Sequence, residues 1–246
     1  MKRKIIWISG IKGGIGKSML SILLADYCHH RSLQPLIVEA DGMVPDVGRR
    51  YDGVLPGILA PLGGDDPAAA LYELLEKLET TIGLKQIKRV VVNLPANSRV
   101  VEDSADEIQA VTGALGFENC TAFLISEAED SPLLFARSCE SGLCSISSTK
   151  AVVVNGHFGR TPDKFAWFAS EARNDWSSTG GVELFLPDLR ARVRELPLLA
   201  RGFLSAYITP GCGLSIVNQM LLRAFVQAGF AVGDSLEGVT NSEVKK

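Results

Sequence analysis

The chain has 246 residues, 46% of them hydrophobic and 22% charged, a composition that excludes disordered, fibrous and low-complexity classes. The net charge of −3 supplies no global attraction to nucleic acid, although net charge does not reveal how charge is distributed. Five cysteines, Cys28, Cys120, Cys139, Cys144 and Cys212, include no CxxC pair and read as reduced thiols of a cytoplasmic protein.

The basic start runs into "KIIWIS" (4–9), too short an apolar run for a signal peptide and well suited to a strand. "GKSMLSILLADYCHHR" (16–31) places apolar residues at helical spacing, and "PLIVEA" (35–40) is a second strand. "GVLPGILAPLGGDDP" (53–67) is rich in Gly and Pro and predicts loop; "DPAAALYELLEKLET" (66–80) predicts helix. "RVVVNLP" (89–95) is a strand buried on both faces, and "TAFLIS" (121–126), "KAVVVN" (150–155) and "VELFLP" (182–187) repeat that signature. Helical stretches are expected near 131–140, 162–173, 188–196 and 214–229.

Strands alternating with helices predict right-handed βαβ units. The expected fold is α/β, a mostly parallel sheet of seven or eight strands with helices on both faces. One domain spans 1–246, with a polar tail from about 238. No apolar run reaches the ~18 residues of a membrane span. Residues 214–230 therefore read as a docked helix, and no integral membrane association is expected.

"ISGIKGGIGKSML" (8–20) joins the first strand to the first helix. That context turns a glycine-rich stretch into a phosphate site. Glycines let the backbone turn with positive φ and approach an anion. Successive N–H groups then form a concavity at a helix N-terminus. Lys17 can reach terminal phosphates, and the Ser18 hydroxyl is placed to ligate Mg²⁺. Two features exceed a simple phosphate loop: a second lysine, Lys12, and Ile11 where a first glycine is usual.

The stretch "KGGIGKS" (12–18) resembles the deviant Walker A motif of the MinD/ParA class of P-loop ATPases. The resemblance implies ATP and Mg²⁺ held by Gly13, Gly14, Ile15, Gly16, Lys17, Ser18 and Met19. It implies that Lys12 reaches across to phosphates bound by a second copy, and the class tolerates the residue at Ile11. In "EADGMVPDVGRR" (39–50), Asp41 resembles the aspartate that orients the attacking water near the metal, or else is a turn residue. The loop onward to Tyr51 would be a switch segment. In "NLPANS" (93–98), Asn93 stands where the class carries a metal-binding aspartate, which bears on Mg²⁺ affinity and hydrolysis rate. "LPAN" resembles a second switch. Asn155 resembles the strand-end asparagine that reads adenine, or else ends a turn. Pro187 and Asp188 resemble a loop that closes over the base, although Asp188 also suits a helix N-cap. The acidic "SEAEDS" (126–131) reads as solvated loop and cap.

The resemblance covers roughly residues 4 to 230 in the order of strands and motifs. It implies a slowly hydrolysing switch ATPase with Lys12, Lys17 and Asp41 as catalytic residues and Ser18, Asp41 and Asn93 around Mg²⁺. ATP would drive homodimerisation, and an unidentified protein partner would read the cycle. Within the class, the short N-terminus, "EADGMVPDV" and "VVNLPAN" most resemble the plasmid-borne members that serve partition or conjugal mobilisation. The alternatives are a non-hydrolysing ATP-binding adaptor and a P-loop synthetase or amidotransferase-type enzyme using Arg49 and Arg50. DNA binding would fall to "RR" (49–50) and "RARVR" (190–194), without help from net charge.

Overall fold

A computed structural model describes residues 2–10, 12–63, 65–84 and 86–239. Ile11 and the end of the polar tail lie outside the described residues. The strands are β1 (Arg3–Ser9), β2 (Pro35–Glu39), β3 (Gly57–Leu59), β4 (Arg89–Asn93), β5 (Phe117–Ile125), β6 (Thr149–Asn155) and β7 (Val182–Leu186). The helices are α1 (Lys17–His30), α2 (Asp46–Tyr51), α3 (Pro67–Leu84), α4 (Arg99–Asp103), α5 (Ala105–Ala114), α6 (Ser131–Ser141), α7 (Glu171–Ser178), α8 (Ala191–Arg194) and α9 (Ile216–Glu237). The strands form one sheet of seven in the order β3-β2-β4-β1-β5-β6-β7, and every neighbouring pair is parallel. The predicted α/β architecture is the one observed.

β1 shows why its apolar run is unbroken. Ile6 and Ile8 join the core beneath α1 and α9, whereas Ile5 and Trp7 join the opposite core beneath α3, α4 and α5. Side chains alternate along a strand, so a strand covered on both faces needs apolar residues at every position. A third cluster, with Phe123, Phe135 and Trp167, packs α6 and its neighbours onto β5 and β6.

Three expectations change. The loop expected over 53–67 contains β3, a short edge strand paired to β2. The stretch 99–114, with no element expected, holds α4 and α5; their fully buried apolar side chains are only Val101, Ala105 and Ile108, and Ser104 divides them. The helix expected over 162–173 is two short 3₁₀ turns followed by α7. There Ser170 stops the chain and caps α7 by accepting from the Arg173 N–H.

α9 is long and apolar enough to cross a membrane by length and mean hydropathy, 22 residues at 1.2, which the unbroken-run criterion missed because Arg223 and Asp234 interrupt it. It packs instead on α1, β6 and β7, burying Leu222, Phe225, Val226, Val232 and Leu236. The crossing depends on two glycines. A Cβ at Gly229 would stand 2.7 Å from Leu23, and one at Gly233 would stand 2.5 Å from the Tyr27 ring.

One polar fastener also matters to the site. Arg50, buried at the end of α2, donates from Nε to the Gly202 carbonyl at 2.8 Å and from Nη1 to the Leu199 carbonyl at 2.6 Å.

Candidate functional site

β1 lies at the middle of the sheet, and the loop leaving its carboxyl end wraps into α1. Open parallel sheets place ligands at this position. Gly14 and Gly16 adopt left-handed φ values of 72° and 99°, and no side chain caps the N-terminus of α1 at Gly16. The uncapped helix end and the left-handed glycines together make an anion-binding concavity. A Cβ at Gly16 would stand 2.5 Å from Asn155 Nδ2, so the loop packs tightly on the end of β6.

An open cleft of about 330 Å³ lies over this loop, within the size range of small-molecule sites. Gly13, Gly14, Ile15, Gly16, Lys17, Ser18 and Met19 line it together with Asp41, Leu94, Ala96, Asn155, Pro187 and Asp188. The structure therefore brings the sequence-predicted residues to one place, with Lys12 and Asn93 outside the lining set. Lys17 is buried and folds onto its own loop. Its ammonium donates to the carbonyls of Gly10 at 2.8 Å and Lys12 at 2.7 Å. Burial pulls its pKa down from 10.5 to about 8, and the Asp41 carboxylate offsets part of that.

Lys12 stays on the rim. Its side chain is 44% exposed and its ammonium pairs with Asp130 at 2.7 Å. Asp130 comes from the acidic stretch read as a solvated loop. An exposed pair of this kind contributes about 0–1 kcal/mol and does not lock the lysine in place.

Asp41 faces the cleft and also makes the turn. Its Oδ1 accepts from the N–H groups of Met43 and Val44 at 3.0 and 3.1 Å. The switch segment expected to run to Tyr51 is open chain only as far as Pro45, because α2 then buries Val47 and Tyr51. Glu39 anchors it: one carboxylate oxygen accepts from Asp41 N and Asn93 Nδ2, and the other from the N–H groups of Val47 and Gly48. Burial pushes the Glu39 pKa up, and these hydrogen bonds oppose the shift.

Asn93 is fully buried. Its amide donates to Glu39 at 2.7 Å, and its oxygen accepts from Ser21 at 3.1 Å. The side chain is consumed in bracing β4 against β2 and α1. The groups that fit a hard cation in the cleft are the Ser18 hydroxyl and the Asp41 carboxylate.

Asn155 is likewise engaged within the protein. Its Nδ2 donates to the Ile15 carbonyl at 2.8 Å, and its Oδ1 accepts from the His157 N–H at 3.0 Å. Asp188 does not cap a helix, since Arg190 occupies the N-cap of α8. Its carboxylate contacts His157 Nδ1 at 2.9 Å.

Two cleft residues were missed as site residues. His157 follows Asn155, where it could approach a base, but was not chosen as a site residue; Asn155 and Leu186 are register partners, and His157 and Asp188, two beyond each, meet at 2.9 Å. Arg194 lines the cleft but was weighed only as surface charge. Arg50, proposed for substrate or DNA, is buried against carbonyls, whereas Arg49, Arg190 and Arg192 are exposed. Among the described residues no cluster of three metal-ligating side chains occurs.

No protein-family model matches the chain. Protein MobD of Acidithiobacillus ferrooxidans is 26% identical over 79% of this chain and 82% of its own length. Among solved structures, the MinC:MinD cell division protein complex of Aquifex aeolicus aligns over 96% of this chain and 96% of that chain, with TM-score 0.55 and 12% identity. A nucleotide-binding protein in complex with ADP from Archaeoglobus fulgidus aligns over 80% and 86%, with TM-score 0.51 and 13% identity. The receptor FtsY of Elizabethkingia anophelis, a longer chain of which this one spans 66%, gives TM-score 0.50 at 12% identity over 92% of this chain. The chain shares the fold of these solved structures.

Proposed function

We propose that this protein is an ATP-dependent molecular switch in which bound ATP–Mg²⁺ brings two copies face to face. The observation that carries the reading is the phosphate loop. A buried lysine occupies the loop's own carbonyls, and a second lysine stands at the rim, held only by an exposed carboxylate. Incoming phosphates attract the Lys17 ammonium off the Gly10 and Lys12 carbonyls and place negative charge at the helix N-terminus. Ser18 and Asp41 would hold Mg²⁺, which would neutralise charge on the phosphates. Asp41 also orients the attacking water.

Lys12 is of little use to its own site. Two triphosphates sandwiched between two copies carry enough negative charge to draw it across. Drawing Lys12 across breaks only the weak Asp130 pair. Hydrolysis removes the γ-phosphate and the pull, so the copies part. A protein partner reads the loop at 42–45, where Met43 is 91% exposed. Likeness to MobD supports placing the cycle in the mobilisation branch.

Solution mass by light scattering, without nucleotide and with ATP–Mg²⁺ or ADP–Mg²⁺, tests the reading. The expected result is a monomer that doubles in mass only with ATP, and a Lys12→Ala variant that does not. A mass indifferent to nucleotide would remove the sandwich. The second reading, a non-hydrolysing adaptor, is favoured by one observation: Asn93 brings no charge and is spent on Glu39 and Ser21. It predicts an ATP-bound dimer with no turnover above background when the partner is added.

A further inference from the structure

We propose that His157 reads the 6-amino group of an adenine base in this cleft, with Asp188 as its positioning residue. The inference rests on the nucleotide reading above and deepens it. The side chain expected to read the base, Asn155, has its oxygen on the His157 N–H and its amide on the Ile15 carbonyl. It thereby fixes the His157 backbone and the phosphate loop together. His157 and Asp188 stand opposite each other at the cleft wall, two residues beyond the ends of adjacent parallel strands.

The Asp188 carboxylate only accepts hydrogen bonds, so the 2.9 Å contact puts the proton on His157 Nδ1. A neutral imidazole so oriented offers Nε2 as an acceptor. The 6-amino group of adenine is a donor, whereas the 6-oxo group of guanine is an acceptor and would meet a lone pair. Met19, Leu186, Leu189 and Phe225 line the same cleft and supply apolar surface suited to the faces of a base. Arg194 also lines the cleft. It carries donors only and does not compete for the amino group.

The test compares ATP with purine riboside triphosphate, which lacks only the 6-amino group, and with inorganic tripolyphosphate. Dissociation constants are measured at pH 8 with Mg²⁺. Wild-type protein should bind ATP roughly three- to tenfold tighter than purine riboside triphosphate, the net effect of one hydrogen bond. In His157→Ala the two should bind equally, at the purine riboside level, with tripolyphosphate affinity unchanged. Asp188→Ala should shrink the ratio although His157 remains, and again spare tripolyphosphate.

A wild-type ratio of one, or a ratio that survives His157→Ala, would overturn the assignment and leave the nucleotide reading standing. An equal loss of tripolyphosphate binding in either variant would show a structural role and overturn it too. Failure of the wild-type protein to bind any of the three probes would overturn both readings.

Discussion

Raising the pH from 7 to 9 should discharge Lys17 ahead of any ordinary lysine, and triphosphate binding should report it. Burial holds its pKa near 8 rather than 10.5. At pH 9 only about 10% of the free protein then carries the charged ammonium. Bound phosphates restore the charge by placing anions where the loop carbonyls now sit. Binding at pH 9 should therefore take up about 0.9 proton, against about 0.1 at pH 7, and the association constant should fall roughly tenfold between them.

Stability moves the other way. The unfolded chain keeps this proton up to about 10.5, so between pH 8 and 10.5 the unfolded state binds more protons and stability rises with pH. The assay is calorimetric titration of a non-hydrolysable ATP analogue in buffers of different ionisation enthalpy, with thermal melts over the same pH range. Flat affinity and no proton uptake at pH 9 would refute the reasoning. So would a melting profile that is unchanged in Lys17→Met.

Asn93→Asp, the substitution that restores the aspartate usual in the class, should not restore a metal ligand. It would set a second carboxylate against Glu39, now 2.7 Å from the amide, and should cost about 1–3 kcal/mol at pH 7.5. One carboxyl of that pair would titrate above its unfolded value, so the loss should shrink on acidification to pH 5; urea midpoints at the two pH values check it. Gly233→Ala should lower stability by about 1–3 kcal/mol, because the added methyl would stand 2.5 Å from Tyr27; chemical denaturation checks it, with nucleotide affinity as the control that the site persists. Gly142→Ala should cost a similar amount, since its Cβ would run into the Glu102 carboxylate, which accepts from Ser9, Ser138 and the Leu143 N–H; Gly142→Ala combined with Glu102→Ala should then cost less than the two singly measured losses added together.

Much of the sheet was legible because its strands are short apolar runs needed on both faces, as in β1 and β4. The phosphate loop was legible because few other jobs require that many glycines and lysines between a strand and a helix. β3 was not legible: three residues at a sheet edge bury only Ile58 well, too little to rise above the surrounding Gly and Pro. α4 and α5 escaped because their apolar face is thin and Ser104 divides it. At the candidate site, residue type picked out positions that mostly line one cleft but not their partners. Asn93 and Asn155 stand at the strand ends where they were expected, yet each amide is engaged by a group from a distant stretch, Glu39 in one case and Ile15 in the other. Such pairings depend on which strands become neighbours, and no spacing along the chain encodes that. The register of β6 on β7 could have been used to find His157 opposite Asp188, but only once those strands were known to be adjacent.

The Arg50 guanidinium gives the two ends of the cleft a common strut. α2 follows directly from the Asp41 turn, and the carbonyls that Arg50 holds, at Leu199 and Gly202, follow directly from the segment carrying Asp188 and Arg194. A shift of α2 must therefore drag that segment along or leave a buried cation without its acceptors, at a cost of several kcal/mol. Two stretches remote in sequence are thus tied through one guanidinium, and each carries residues that line the cleft.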